Sequence, residues 1–296
     1  AARPYDLVIA SQVDMARYRA CFAGVPALFE EVEVGTLYEQ FRRAEGAAQR
    51  LRYGLTWQKH RRYLAGLLRS YQAATVVSAP ERALVAEQVA GDAARLRVIA
   101  NGVDVASYAD VAAEPAAHTL IFAGSFSYLP NYHAMQWFIE HVFPRVRTAV
   151  PGTRLVITGR HGDRPLPSLD GVELTGFVDD VRPRIKGAWL SVAPIWIGGG
   201  TRLKILEAMA LGTPVVATHK GAEGLDLVNG RDIVLADEPA AFADAVIGLL
   251  RDPAARQALA ARGLQRVREV YDWQVILPQF MGLVAETAVA ANGRTG

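Results

Sequence analysis

A doubly wound α/β architecture with parallel sheets is what this sequence predicts, and three features predict it. From residue 115 onward, short apolar runs alternate with stretches of helical period. The runs are rich in β-branched residues and apolar almost throughout, as strands buried on both faces are. The helical stretches between them are long enough to carry the chain back across a sheet, which parallel pairing requires and hairpins do not.

The first half gives strand candidates at Leu7–Ala10, Ala27–Phe29, Thr75–Ser78 and Leu96–Ala100, with one long helical region over Leu37–Gln72. Asn101-Gly102-Val103-Asp104 is a turn signal, and the Ala-rich segment Ala106–His118, with Pro115, reads as a linker. Four strands make a thin sheet, so this half reads as an incomplete Rossmann-like domain whose native chain begins upstream of Ala1. The second half gives strands at Thr119–Ala123, Arg154–Thr158, Val172–Thr175, Leu190–Pro194, Val215–Thr218 and Ile233–Leu235. Helices are expected at Tyr132–Val150, Asp180–Lys186, Leu203–Leu211, Ala240–Leu250 and Ala254–Val270. The expected division places a first domain at 1–112 and a second at 113–275.

Composition narrows the function classes. With 296 residues, 51% apolar and 21% charged, the chain is neither disordered, fibrous nor a disulfide-stapled mini-protein. Apolar stretches such as Ala245–Leu250 are too short to cross a bilayer. A net charge of +2 and a pI near 8.7 are too mild to imply a nucleic-acid partner. Cys21 is the single cysteine, so no internal disulfide forms, which suits a reducing compartment. Nothing at the N-terminus reads as a signal peptide. A cytoplasmic location is expected, at the inner face of the membrane if the basic region described below contacts lipid.

In a parallel sheet all strand C-termini open onto one edge, where ligands bind. Five consecutive strands of the second half run into glycine there: Gly124-Ser125, Gly159-Arg160, Gly176-Phe177, Gly198-Gly199-Gly200 and Gly221. Glycine is common in such loops, but five on one edge favour a ligand crevice. The sharpest segment continues as Thr201-Arg202-Leu203-Lys204-Ile205-Leu206-Glu207. With Thr201 as N-cap, Arg202 and Lys204 fall in the first helical turn, where each cation opposes the helix dipole at a cost of roughly 0.3–1 kcal/mol. An anion at that helix end removes the cost, so free amides and two cations fit a phosphate or diphosphate. The alternative is an i,i+3 Lys204–Glu207 ion pair on a surface helix. Lys220-Gly221-Ala222-Glu223-Gly224-Leu225 follows a strand and can hold sugar or polyol hydroxyls, or simply be a capped helix.

At these residues the sequence resembles the C-terminal half of a GT-B glycosyltransferase, most of all the large retaining family four ("group one" sugar transferases). The resemblance rests on FAGSFSYLPN (122–131), TGFVDDVRP (175–183), APIWIGGGTRLKILEAMALGTPVVAT (193–218), GAEGL (221–225) and YDW (271–273). It reaches the first half through SQVDMARY, VPALF, TVVSAPE and IANGVD, and lacks the family's usual N-terminal opening. The resemblance implies two Rossmann-like domains, the first on the acceptor side and the second holding a nucleoside-diphosphate sugar, UDP- or GDP-linked. It also implies a last helix, 276–296, crossing back to the first domain. Carried over by position, Arg202 and Lys204 grip the diphosphate and Glu207 bonds the ribose. Phe177 and Val178 meet the base; Gly124 and Ser125 approach the phosphates, and Gly159, Gly199, Gly200 and Thr201 are counted with the donor-binding residues. Gly221, Ala222 and Glu223 lie near the transferred sugar, so Arg202, Lys204 and Glu223 form the catalytic set.

Three departures stand out. Many members carry two glutamates eight positions apart, and the first falls on Gly199. The basic residue often found after the domain's first strand is replaced in Tyr128-Leu129-Pro130-Asn131. The first-half histidine of some relatives is replaced in Glu30-Glu31-Val32-Glu33, so no catalytic histidine is assigned. The resemblance implies retention at the anomeric carbon, no essential metal and no cofactor beyond the donor. His161, Asp163 and Asp170 have no metal-ligand spacing. The acceptor implied is a glycan or a lipid-linked molecule. A GT-B phosphorylase or epimerase, or a nucleotide-binding remnant without independent activity, are the alternative readings.

Arg42–Arg69 carries eight basic residues (Arg42, Arg43, Arg50, Arg52, Lys59, Arg61, Arg62, Arg69) against one acid, Glu45, with Tyr53, Trp57 and Tyr63 interleaved. Such a helix either lies on an anionic membrane or is a solvated face.

Overall fold

A computed structural model describes residues 5–90, 93–162, 164–198 and 202–292. Within them the chain forms two compact units, one of residues up to 101 and from 276 onward, the other of 102–198 and 202–275.

The first unit opens with β1 (Val8–Ser11) and α1 (Gln12–Ala16), then β2 (Ala27–Glu30), α2 (Gly35–Arg42), α3 (Ala47–Arg69), β3 (Ala73–Val76), α4 (Ala79–Val85) and β4 (Leu96–Val98). All four strands are parallel in the order β1-β2-β3-β4. The long helical region expected over Leu37–Gln72 is two helices, because Gly46 takes φ +77° and breaks the run. α4 was not foreseen from the sequence: the Ser78 side chain accepts from the Glu81 amide and Pro80 sits in the first turn, a local start signal without a long periodic stretch behind it. Trp57, Leu64, Leu68, Phe29, Tyr71 and Val85 form the core of this unit.

The second unit contains α5 (Ala106–Ala109), β5 (Ala116–Ala123), α6 (Leu129–His141), α7 (Phe143–Ala149), β6 (Arg154–Thr158), β7 (Val172–Gly176), α8 (Arg182–Gly187) and β8 (Ala188–Ala193). α9 (Leu203–Ala210), β9 (Val215–Ala217), β10 (Val234–Leu235), α10 (Pro239–Arg251) and α11 (Pro253–Val270) complete it. The single helix expected over Tyr132–Val150 is divided at Val142, because Pro144 has no amide hydrogen to continue the ladder and starts α7 instead. The segment read as a linker, Ala106–His118, holds α5 and the start of β5. Residues 102–112, placed by sequence with the first domain, group with the second unit. There Val103 bridges Asp272, and the Ser107 and Ala109 carbonyls accept from Arg182 and Lys186.

The six-stranded sheet is parallel, in the order β10-β9-β8-β5-β6-β7. The chain lays β5, β6 and β7 outward on one side, then returns to lay β8, β9 and β10 on the other. The strand order therefore reverses between β5 and β8, where doubly wound sheets bind their ligands. Phe122, Phe138, Phe143, Phe242, Leu120 and Leu190 lie in the core that holds this sheet to its helices.

The last helix, α12 (Trp273–Asn292), packs Phe280, Leu283 and Val284 against Leu28, Ala73 and Ile99 of the first unit. Among the described residues, no helix is long and apolar enough to cross a membrane.

Candidate functional site

The loops after β5 and β8 flank the reversal point and supply the most unusual electrostatics in the second unit. Lys204, in the first turn of α9, reaches back so that its Nζ donates to Asn131 Oδ1 at 2.6 Å and lies 4.2 Å from the centre of the Phe122 ring. Burial, and then the neighbouring charge of Arg202, push this ammonium down to about 7, against an opposing pull from Glu207. The alternative i,i+3 ion pair with Glu207 does not form: Lys204 turns to Asn131. Glu207 instead accepts from the Tyr108 hydroxyl at 3.4 Å. Burial raises the Glu207 carboxyl despite Tyr108 and Lys204, and burial with the Glu207 charge lifts Tyr108 to about 12.

Arg202 is only 7% exposed. Its Nη2 donates to the Gly198 carbonyl at 2.8 Å and lies 3.8 Å from Glu223 Oε2. Lys220 pairs with the same Glu223 oxygen. Glu223 is thus held between two cations at the end of the β9 loop. Gly221 donates to Thr218 Oγ1 at 2.9 Å and Ala222 to the Thr218 carbonyl at 3.1 Å, which fixes that loop in a single turn. One expectation is corrected here: Arg202, not Thr201, occupies the cap position of α9, so only Lys204 lies within the first turn. Arg202 bonds a carbonyl four residues back and stands at the cap, still facing the positive end of the helix dipole. Gly199, Gly200 and Thr201 lie outside the described residues.

On the other side of the reversal point, Gly124 donates to the Thr158 carbonyl at 3.0 Å. Ser125 Oγ donates to the Arg160 carbonyl at 3.1 Å, and the Ser125 carbonyl accepts from Asn131 Nδ2 at 2.8 Å. Gly159 adopts φ +119° directly behind this loop. At the ends of β6 and β7, the Arg160 guanidinium lies 5.3 Å from the centre of the Phe177 ring, which is 63% exposed, with Val178 half-buried beside it. Among the described residues, no three His, Cys, Asp or Glu side chains converge as metal ligands do.

The structure thus brings Gly124, Ser125, Gly159 and Lys204 together, and Arg202 with Glu223. Glu207 pairs with Tyr108, and Phe177 with Arg160. Asn131 and Tyr108 were missed from sequence. Asn131 lies in the block where a basic residue was sought, and it serves to hold one, Lys204. Chemically, the arrangement offers one buried and one half-buried cation and a helix N-terminus to an anion, and an exposed aromatic–guanidinium pair to a planar ring.

The profile of the family described as "Glycosyl transferases group 1" matches residues 117–252. A phosphatidyl-myo-inositol mannosyltransferase of Mycolicibacterium smegmatis is 30% identical over 244 residues, 77% of this chain and 61% of the relative. Its Mycobacterium leprae counterpart is 34% identical over 158 residues, 50% of this chain and 42% of the relative. The chain thus spans about half the length of the curated relatives it matches. Among solved structures, sucrose-phosphate synthase from Thermosynechococcus elongatus aligns with a TM-score of 0.70 at 20% identity, covering 97% of this chain and 74% of that one. Anabaena HepE, solved with UDP and glucose, aligns at 0.70 and 15% identity, covering 95% and 78%. Both share the two-sheet α/β fold.

Proposed function

Residues 117–252 match the family model of the group 1 glycosyl transferases, and on that match we propose that the chain transfers a hexosyl group from a nucleoside-diphosphate sugar to a hydroxylated acceptor, with retention at the anomeric carbon. The observation that carries this reading is the pair Arg202, buried, and Lys204, half-buried with a depressed ammonium, at the reversal point of a parallel sheet. A departing nucleoside diphosphate gains negative charge as the glycosidic bond breaks. Preorganised cations and helix amides aimed at that charge stabilise the transition state more than the ground state.

In this reading Lys204 and the first amides of α9 meet the diphosphate, and Arg202, held by Gly198 and Glu223, meets it from the adjoining loop. Gly124 and Ser125 bring main chain to the phosphates. Glu207 bonds the ribose, its carboxylate oriented by Tyr108. Phe177 and Val178 border the base. Glu223, Gly221 and Ala222 lie toward the transferred sugar, where a carboxylate already held by Lys220 and Arg202 can accept from sugar hydroxyls without moving. For retention, a phosphate oxygen of the leaving group takes the acceptor proton on the face from which it departs. No metal is needed in this scheme, because Arg202 and Lys204 supply the positive charge. HepE, solved with UDP and glucose, favours a UDP-linked donor, with GDP-linked sugars the other class to include, and a calorimetric screen of nucleotide sugars tests this directly. Binding without product in the presence of glycan and lipid acceptors would favour the remnant reading, and turnover with free phosphate the phosphorylase one. No heat with any nucleoside diphosphate would overturn the proposal.

Arg202→Ala is expected to lower kcat/KM about tenfold, about 1.4 kcal/mol of transition-state stabilisation, with circular dichroism unchanged. Steady-state rates over donor concentration check it, and wild-type turnover would remove Arg202 from the scheme.

Lipid association belongs to the same proposal. α3 exposes Leu51 and Leu55 together with Arg52 and Lys59, a basic face with apolar side chains among the charges. Trp57 is not part of it, being buried in the core against Tyr38. Cosedimentation with acidic vesicles is expected at low salt, and lost at high salt or in the Arg52→Glu/Lys59→Glu double variant. Equal sedimentation of that variant would refute the contact.

A further inference from the structure

The first unit contains a cavity of about 430 Å³ beneath the last turns of α3, at the N-terminal ends of β3 and β4. Five of its lining residues are apolar: Ala65, Leu68, Ala73, Ala74 and Leu96. Three of those are alanines, so the space between helix and strands is left open rather than filled. The other two are the exposed arginines Arg69 and Arg95, and among the described residues no acid lines the cavity.

Among the described residues no carboxylate pairs with either guanidinium. Arg95 Nη1 donates to the main-chain carbonyls of Tyr71 at 3.3 Å and Arg69 at 3.5 Å. Among the described residues, the Arg69 guanidinium makes no hydrogen bond and no ion pair. Arg62 precedes Ala65 by three residues on the same helix, adding a further cation to that stripe. Like charges brought to one rim repel, and an anion between them relieves the repulsion. The planar fork of arginine suits the paired oxygens of a phosphate or carboxylate. The volume lies toward the small end of ligand cavities, enough for a headgroup and a short run of carbons.

We infer that this cavity binds an anionic amphiphile, its phosphate or carboxylate on Arg69 and Arg95 and its first carbons against Leu68, Leu96 and the alanines. The inference is independent of the sugar-transfer reading, since no residue of that site lines the cavity.

Calorimetry with octyl phosphate, below its micelle-forming concentration, tests it beside inorganic phosphate and octanol. Octyl phosphate is expected to bind at least about tenfold more tightly than either, the charged head and the chain each contributing. Arg69→Ala should weaken it about tenfold or more, and Ala65→Phe, which fills the space from the helix side, should abolish it. Both variants should retain the wild-type circular dichroism spectrum and nucleotide binding. Arg69 is exposed, so its variant remains informative if Ala65→Phe does not fold. Sedimentation with phosphatidylglycerol vesicles then separates the sources of the ligand. Weakening by Ala65→Phe identifies a bilayer lipid, and unchanged sedimentation alongside lost octyl phosphate binding identifies a free amphiphile. No binding of octyl phosphate, or equal binding by wild type and both variants, would overturn the inference.

Discussion

Lys204→Met is expected to lower kcat/KM for the sugar donor about 100-fold, about 2.7 kcal/mol, while leaving the melting temperature unchanged or raised. The two halves of that expectation share a cause. Burial and the charge of Arg202 disfavour the ammonium in the free protein, so a thioether of similar length removes a desolvated cation and keeps the packing on Phe122. The cost appears only when negative charge develops beside it. Parallel rate and melting measurements check this, and a loss under threefold would show that the lysine serves packing alone.

The same residue sets a pH dependence whose sign follows from its depressed value. Lys204 loses its proton at about 7 in the free protein, and a bound diphosphate favours the charged form. Above that pH, donor binding takes up a proton, so affinity falls as pH rises and the binding enthalpy varies with buffer ionisation heat. Lys204→Met should flatten both. For folding, the unfolded lysine holds its proton up to about 10.5 whereas the folded one releases it at about 7. In that window the unfolded chain binds more protons, and this residue's contribution to stability rises with pH.

Gly159→Ala is expected to destabilise the second unit by about 3 kcal/mol. At about 2–4 °C per kcal/mol for a unit of this size, the melting temperature falls by about 6–12 °C. Two penalties add. The residue sits at φ +119°, and a Cβ there would meet the Gly124 carbonyl carbon and oxygen at 2.7 Å and the Ser125 amide at 2.9 Å. Those atoms are main chain and cannot swing aside. Gly152→Ala, at φ +82° with nothing near its Cβ, isolates the backbone strain. If Gly159→Ala costs no more than this control, the contact between the two loops is not what the glycine serves. Nucleotide binding should fall with Gly159→Ala and stay unchanged with Gly152→Ala.

Sequence and structure agree most closely where one short segment carries the signal by itself. All six strands of the larger sheet were readable, because runs such as Thr119–Ala123 and Arg154–Thr158 are apolar on both faces and leave no competing helical period. Helix ends were readable where proline or a capping side chain marks them, as at Asp252 and Pro253 of α11. Thr201 looked like a cap by residue type, yet Arg202 holds that position, with no side-chain bond to the helix amides. What sequence could not supply is pairing across distance. Lys204 finds Asn131 across 73 positions and Glu207 finds Tyr108 across 99, and neither partner carries a local pattern that announces it. Trp57 shows the converse: its basic, aromatic neighbourhood suggested a surface role, but the helix turns that ring inward.

The crowding around Gly124 ties distant positions together. A methyl group there would land 3.0 Å from Lys204 Nζ and 2.7 Å from Asn131 Nδ2. The absent side chain at 124 is therefore the berth in which the long one at 204 rests. A larger residue at the first would push aside two side-chain ends, the Lys204 ammonium and the Asn131 amide, rather than main chain, so its cost would fall on where the cation rests and not on the backbone.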